Sequence, residues 1–176
     1  MSNPNLDNKQ IPSVTFKTRV KSGEDFVWQD LTTSETFDGK KVVVLALPGA
    51  FTPTCSSTHL PGFEANFDEF TALGVDAIYC LSVNDTFVMN AWKKDQNLEN
   101  IQMLPDGNGE LSEALGMLVD KSNIGFGKRS WRYSFFAENG VIKKAFIEDG
   151  FSDNMESDPF EVSDAQTMLD YLQGLE

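Results

Sequence analysis

The sequence predicts an α/β protein in which helices cover a mixed central sheet. Short apolar segments alternate with amphipathic segments of helical spacing, a pattern typical of strands joined by helices. Further along, Asn139-Gly140 lies between two apolar segments and predicts a tight antiparallel hairpin. A final amphipathic segment follows, so the expected order of elements is β-β-β-α-β-α-β-α-β-β-α.

Three strands are expected before the first long helix. Residues 13–20 alternate between apolar and polar side chains, and residues 26–37 are expected to form a second, partly irregular strand. Residues 42–47 are continuously apolar and rich in valine, which predicts a buried central strand. Residues 1–10 are mostly polar and are expected to form a flexible arm.

The middle of the chain predicts helices alternating with strands. Residues 59–73 carry apolar side chains at helical spacing, and Gly74 is a plausible stop. The apolar strand at 76–83 precedes a helix at 86–94, for which Asp85 is the expected N-cap. A short strand at 103–104, ending at Pro105, and a helix at 109–118 complete this part.

The C-terminal part predicts a hairpin and a closing helix. Residues 131–137 and 141–147 flank the Asn-Gly turn. Residues 162–175 present an apolar face, and Ser163 with Gln166 forms a candidate capping box at the start of this helix.

Length and composition predict one domain over residues 1–176 and exclude several classes of partner. The net charge of −13 argues against nucleic acid and anionic membranes. No segment approaches the roughly 20 apolar residues of a membrane span, and the N-terminal residues do not resemble a secretory signal. With only two cysteines, Cys55 and Cys80, a reducing, cytoplasmic setting is expected.

Cys55 is the main candidate for chemistry. It follows the loop Pro48-Gly49-Ala50-Phe51-Thr52-Pro53-Thr54, directly after the predicted central strand, and a helix is expected to follow it. Backbone N–H groups at a helix start favour a thiolate over a thiol. The sequence therefore predicts a cysteine nucleophile at the carboxyl end of a central strand.

The residues around Cys55 supply polar groups but no general base. The Thr52 hydroxyl can donate to the sulfur or to a bound oxygen, and Pro48 can limit the access of water. The amides of Thr54 and Cys55 can point into the same pocket. Because no base is at hand, the sulfur must already be ionised, and a cation should lie close to it.

Here the chain resembles the peroxiredoxins, whose signature P-x-x-x-T/S-x-x-C is matched by Pro48, Thr52 and Cys55. The resemblance extends over about residues 11–172 and is strongest to the atypical type II, or type five, branch of this thioredoxin-like superfamily. It implies a thioredoxin-like fold with an N-terminal β extension. The supporting segments are PGAFTPTCS at 48–56, HLPGF at 59–63, SVNDTFVMNAW at 82–92 and WRYSFF at 131–136.

The resemblance implies a role for each residue. Cys55 would be the peroxidatic cysteine, which attacks hydrogen peroxide or an alkyl hydroperoxide and becomes a sulfenic acid. Thr52 and the amides of Thr54 and Cys55 would hold the peroxide. Arg132 matches the family's distant arginine and would stabilise the thiolate and the charge that develops as the O–O bond breaks.

His59 and the basic residues near Arg132 have plainer interpretations. His59 could share a helix face with Cys55, but a metal site needs about four ligands and the chain offers too few. No metal or cofactor is expected, and we rank a Cys/His catalytic pair below the arginine-supported thiolate, so His59 is expected to be a supporting structural residue. Lys128 and Arg129 are expected to form a solvated charged patch.

Reduction of the sulfenic acid leaves alternatives open. Cys80 lies in the middle of an apolar strand, whereas a disulfide needs Cα atoms within about 7 Å, so local unwinding would be required. Some family members have a second cysteine at a similar place, and others use glutathione with glutaredoxin, or thioredoxin. We favour an external thiol, with Cys80 as the alternative resolving residue.

Other functions also remain open on the sequence alone. A peroxide sensor or relay that oxidises a partner protein would use the same Cys55, whereas a dithiol exchanger is disfavoured because no C-x-x-C pair is present. The resemblance implies a homodimer, for which Phe51, Phe87 and Trp92 are interface candidates.

Overall fold

A five-stranded mixed sheet forms the centre of the molecule in a computed structural model that describes residues 2–175. The strand order is β5-β4-β3-β8-β9. The central strand is β3. On one side it pairs in parallel with β4, and β4 pairs in parallel with β5. On the other side β3 pairs antiparallel with β8, and β8 pairs antiparallel with β9. The bounds are β3 Lys41–Ala46, β4 Ala77–Ser82, β5 Gln102–Pro105, β8 Tyr133–Glu138 and β9 Val141–Ile147.

Helices and short strands surround this sheet. Two further two-stranded antiparallel sheets are formed by β1 with β2 and by β6 with β7. The helices are α1 Thr33–Phe37, α2 Leu60–Ala65, α3 Phe67–Ala72, α4 Thr86–Asp95, α5 Glu110–Ala114 and α6 Ala165–Gln173. The remaining strands are β1 Thr15–Ser22, β2 Asp25–Thr32, β6 Leu118–Asp120 and β7 Lys128–Ser130. This is the expected thioredoxin-like α/β fold with its N-terminal β extension.

The central strand is buried on both faces because alternate side chains enter two separate apolar clusters. Val42 and Val44 pack with the N-terminal segments, α1 and α5, whereas Val43 and Leu45 pack with α2, α3, α4 and α6. Cys55 belongs to the second cluster. Residues 42–46 therefore lie in the buried strand that their composition predicts, and Leu47, just beyond its end, is also buried.

The hairpin prediction is confirmed. Asn139 and Gly140 connect β8 and β9 with φ angles of 50° and 77°. Positive φ at both positions is the geometry for which Asn-Gly is favoured. The hairpin lies beside β3, and its start carries Arg132 toward the end of the central strand.

The strand predicted at 26–37 ends early. Beyond Thr32 the chain forms α1, because the Thr32 side chain accepts a hydrogen bond from the Glu35 N–H and the Glu35 carboxylate accepts one from the Thr32 N–H. This is a complete capping box, which satisfies two donors at the helix start.

Residues 2–10 are held by specific contacts in the structure, whereas residues 1–10 were expected to form a flexible arm. Leu6 is buried, the Asn8 N–H donates to the Ile142 carbonyl, and Gln10 bridges to Val141. The segment thus extends along β9, whose outer edge would otherwise leave its backbone groups unpaired.

The helix predicted at 59–73 begins earlier and is interrupted. A single π-helical turn, Cys55–His59, precedes α2, and the chain breaks at Asn66 before α3. The Asn66 side chain donates to the Gly62 carbonyl at 2.7 Å, a local bond that competes with helix continuation. Cys55 is the first residue of the π-helical turn.

Among the remaining helices, α4 begins as predicted, whereas α5 and α6 differ from the predictions. Asp85 caps α4 as expected, since its carboxylate accepts from the Val88 N–H. In contrast, α6 is capped by Asp164, and the predicted cap Ser163 donates its hydroxyl to the buried Glu148 instead. The predicted helix at 109–118 is shorter, because Gly116 turns the chain into β6.

Candidate active site around Cys55

The loop before Cys55 is held in a constrained form. Phe51 has a φ of 65°, a conformation that a bulky side chain rarely adopts outside functional or strained sites. The Ala50 N–H donates to the Asn84 side chain at 3.0 Å, and this contact ties the loop to the end of β4. The loop is therefore fixed against the sheet immediately before the nucleophile candidate.

Cys55 lies at the start of the π-helical turn, and its side chain is fully buried. Within residues 2–175, neither the Thr54 amide nor the Cys55 amide donates to another group of the protein. First-turn amides have no partner inside their own helix, so both remain free for an anion or a bound oxygen.

Arg132 lies against the thiol, although the two residues are 77 positions apart in the chain. Its Nη2 is 3.2 Å from the Cys55 Sγ, and the residue is only 1% exposed. The strand register explains the approach, because Tyr133 pairs with Ala46, so that the preceding Arg132 lies where the chain leaves β3 toward Cys55.

Two residues orient the Arg132 guanidinium. Nε and Nη2 donate to the two carboxylate oxygens of Asp158 at 3.1 and 2.8 Å, and Nη1 donates to Nδ1 of His59 at 2.8 Å. Burial lowers the pKa of Arg132, but Cys55 and Asp158 together raise it by more, so its pKa stays above the ordinary value. The side chain is thus a fixed cation facing sulfur.

His59 is held as a neutral imidazole. Because Arg132 can only donate, Nδ1 of His59 accepts, and the ring proton lies on Nε2, which donates to the Ser163 carbonyl at 3.0 Å. Burial and the Arg132 charge hold the pKa of His59 well below its usual range. Its basic lone pair is already engaged by Arg132, so His59 supports the arginine and is not poised to take a proton from Cys55.

The Thr52 hydroxyl does not donate to the sulfur, although the sequence allowed such a bond. Its proton is directed at the Gly49 carbonyl, at 2.7 Å. The hydroxyl oxygen keeps its lone pairs free to accept a hydrogen bond.

Arg129 is only partly exposed, which corrects the expectation that it forms a solvated charged patch with Lys128. Its guanidinium donates to the Pro48 carbonyl at 3.0 Å and to the Phe126 carbonyl at 3.2 Å, whereas Lys128 is exposed. A side chain at Gly49 would collide with this guanidinium. Burial lowers the pKa of Arg129, and the nearby Cys55 opposes that shift.

A cavity of about 270 Å³ opens against the loop that precedes Cys55. Its polar groups include Lys121 and Asp158, and burial lowers the pKa of Lys121 while Asp158 opposes that shift. The lining consists of Pro48, Thr52, Pro53, Thr54, Lys121, Ile124, Phe126 and Asp158. The lining combines apolar side chains with a few polar ones, which suits a small organic molecule with one polar end.

Cys80 lies in the middle of β4, paired with Leu45 on one side and Met103 on the other. It is fully buried and is a free thiol, as is Cys55. Burial raises the pKa of Cys80 well above its usual value, and the Cys55 charge adds to this effect. Cys80 is therefore a poor nucleophile in the folded protein.

Several residues of the site were not found from the sequence. Asp158, Phe160 and Ser163 all lie in an irregular segment after β9, where the signal that the sequence offers is the high density of acidic residues between Glu148 and Asp164. Trp92, expected at an interface, is instead fully buried and donates its Nε1–H to the Ser56 hydroxyl at 3.0 Å. Among the described residues, no group of three or more His, Cys, Asp or Glu side chains could hold a metal ion.

Comparisons with known proteins place the chain in a family. The Redoxin family profile matches residues 7–169. Peroxiredoxin sll1621 of Synechocystis sp. is 58% identical over 96% of this chain and 92% of its own length. The hybrid peroxiredoxin hyPrx5 of Haemophilus influenzae is also 58% identical, over 95% of this chain but 66% of that longer protein.

A solved structure agrees with this relationship. Reduced Prx3 of Vibrio vulnificus in complex with H2O2 superposes with a TM-score of 0.82 at 42% identity, over 94% of this chain and 98% of that one. A buried thiol beside a fixed arginine, on a thioredoxin-like fold, defines a thiol-dependent oxidoreductase. The chain belongs to the peroxiredoxin family, of the type five kind, and is a peroxidase that uses peroxide and a thiol reductant. No helix among residues 2–175 is long and apolar enough to cross a membrane.

Proposed function

We propose that Cys55 is the peroxidatic nucleophile of this peroxidase. The contact that carries the proposal is the 3.2 Å approach of Arg132 Nη2 to the Cys55 Sγ. In the proposed step, the thiolate sulfur bonds to the terminal peroxide oxygen as the O–O bond breaks. The other oxygen leaves with the bonding electron pair and takes up a proton as water or an alcohol. Cys55 remains as a sulfenic acid.

The surrounding groups suit this step. The Thr54 and Cys55 amides, which have no partner in the described part of the protein, and the Arg132 guanidinium are donors that can stabilise the negative charge that develops in this step. The Thr52 hydroxyl, with its own proton on Gly49, accepts from the peroxide O–H. Pro48 contributes its ring to the cavity wall and its carbonyl to Arg129.

Hydrogen peroxide and small alkyl hydroperoxides are the proposed substrates. The solved Vibrio vulnificus relative holds H2O2, and the cavity of about 270 Å³ has apolar walls that suit a short alkyl group. Since the Cys55 thiol is fully buried, bulky hydroperoxides should react more slowly than small ones.

The proposed reductant is an external thiol, supplied by glutathione with glutaredoxin or by thioredoxin. Cys80 is fixed between two neighbouring strands and its thiol is held in the protonated form, so bonding to Cys55 would require the sheet or the π-helical turn to open. Replacement of Cys80 by Ser should leave turnover with either external system unchanged. Complete loss of turnover would establish Cys80 as the resolving residue.

The proposed setting is a cytoplasmic homodimer. Both cysteines are free thiols, and the curated bacterial relatives are consistent with that compartment. Phe51 and Phe87 are 52% and 57% exposed, which suits an interface near the active-site loop. Sedimentation velocity of the wild type and of Phe87→Glu would test the dimer, since the variant should sediment as a monomer.

Intact-mass spectrometry after one equivalent of peroxide tests the main proposal. The expected products are a 16 Da gain without glutathione, from one added oxygen, and a mixed disulfide with glutathione. Cys55→Ser should show neither product and Cys80→Ser should show both. Oxidation that persists in Cys55→Ser would reject Cys55 as the nucleophile.

A further inference from the structure

An irregular segment after β9 supplies three contacts to the active site. Asp158 binds Arg132 through both carboxylate oxygens, and the Ser163 carbonyl accepts from Nε2 of His59. Phe160 lies between Asp158 and Ser163 in the chain. The centre of its ring is 4.9 Å from the centre of the His59 ring and 5.8 Å from the Arg132 Cζ. None of the three residues lies in a helix or strand. Some other interaction must therefore fix this segment.

Glu148 is the residue that fixes it. Its buried carboxylate accepts hydrogen bonds from the backbone N–H groups of Glu161 at 2.7 Å, Val162 at 3.0 Å and Ser163 at 2.7 Å. The Ser163 hydroxyl donates a fourth bond at 2.6 Å. Hydrogen bonds to a buried carboxylate are among the strong ones, and no lysine or arginine of the described residues forms an ion pair with it.

The backbone of Glu148 is fixed on the other side of the site. Its N–H donates to the Arg132 carbonyl at 3.2 Å, and its carbonyl accepts from Nε1 of Trp131 at 2.8 Å. Glu148 thus connects the main chain of Arg132 directly to the segment that orients the Arg132 side chain.

We propose that Glu148 is a positioning residue for the peroxidatic site. It does not touch Cys55, but by holding residues 161–163 it sets the Ser163 carbonyl for His59 and the Asp158 carboxylate for Arg132. These two contacts direct the guanidinium at the sulfur. This inference rests on the proposed role of Cys55.

The direct test is Glu148→Gln in a Cys80→Ala background, where Cys55 is the single remaining cysteine. The amide has the same size but places an N–H₂ group against backbone donors. The rate of Cys55 oxidation by hydrogen peroxide should fall roughly ten- to a hundredfold, as for a displaced catalytic group. The alkylation profile, which is the rate of Cys55 alkylation by iodoacetamide across a range of pH, should lie below that of the wild type, because the sulfur loses an aligned cation.

Glu161→Gln is the matched control. Glu161 belongs to the same segment, but its own side chain is exposed and makes no hydrogen bond within residues 2–175. It should keep the wild-type oxidation rate and alkylation profile. A folded Glu148→Gln protein with both wild-type values would overturn the inference.

Ser163→Ala covers the case in which Glu148→Gln does not fold. It removes one of the four groups that donate to the carboxylate while keeping the Ser163 carbonyl. Its oxidation rate should fall roughly threefold, in proportion to one lost contact, and an unchanged rate and profile would reject the inference. Failure of peroxide to oxidise the wild type would reject the proposed function. The alkylation profile needs no peroxide, so it would still test the role of Glu148 in that case.

Discussion

Nη1 of Arg132 donates to Nδ1 of His59 at 2.8 Å, with both side chains buried. A cation can donate to this nitrogen only if the imidazole is neutral, so the contact fixes the ring's charge and its tautomer together. The arginine is thereby held on the side away from solvent, while Asp158 holds it on the cavity side.

This contact predicts that acid weakens the fold through His59. The pKa of His59 is well below its usual value in the folded protein, chiefly because of burial and then because of Arg132. As pH falls below about 6.5, the unfolded chain takes up a proton that the folded chain does not. The free energy of unfolding should therefore fall by about 1.4 kcal/mol per pH unit below that point.

Urea unfolding between pH 7 and pH 5.5 measures this slope, and His59→Gln provides the comparison. His59 is the one histidine in the chain, and carboxylates titrate mainly below this window. The variant should be less stable at pH 7 but should lose much less stability on acidification. Equal slopes in the two proteins would contradict a neutral, buried His59.

Arg132→Lys should slow the oxidation of Cys55 on the order of a hundredfold, the usual cost of removing one aligned donor. Lysine keeps a positive charge, but a single ammonium cannot hold the two Asp158 oxygens, His59 and the sulfur at once. Stopped-flow fluorescence with hydrogen peroxide measures the rate. Lys128→Ala, at an exposed position, is the control. A Lys variant with the wild-type rate would show that charge alone suffices.

Asp158→Asn should raise the rate of Cys55 alkylation across the pH range, because a negative charge near the sulfur is removed. The effect should be small, since the carboxylate is partly exposed and screened. Asp158 is 42% exposed and offsets part of the Arg132 charge that faces the thiolate. The amide keeps an acceptor for the guanidinium while removing that offset. Glu156→Gln, an exposed neighbour, should leave the profile in place. Slower alkylation would contradict this prediction and would show that the loss of one acceptor for Arg132 outweighs the removal of the negative charge.

Cys80→Ala should destabilise the protein by roughly 1–2 kcal/mol, as expected for a small cavity in a packed core. The side chain is fully buried between β3 and β5 and packs in the same cluster as Cys55. The first oxidation of Cys55 should keep its wild-type rate, measured by stopped flow. A large fall in that rate, with the fold retained, would assign Cys80 a part in the attack itself.

Local patterns in the sequence were sufficient for much of the architecture. The alternation of apolar segments and helices predicted the mixed sheet, Asn139-Gly140 predicted the hairpin, and Asp85 predicted a helix start. These signals are readable because each depends on neighbouring residues. The predictions failed where a side chain has more than one possible hydrogen-bond partner. The Asn66 side chain binds the Gly62 carbonyl and interrupts a helix, and Ser163 binds Glu148 instead of capping α6.

By itself, then, the sequence determined the fold class, the place of Cys55 after a buried strand, and the Thr52 and Pro48 groups beside it. The family resemblance also pointed to Arg132. Only the tertiary structure decided which groups hold that arginine, where the Thr52 proton points, and that His59 is neutral. The physical reason is range: strand and turn preferences act over a few residues. The contacts of Arg132 with Cys55 and Asp158 span 77 and 26 positions and exist only once the strands have paired.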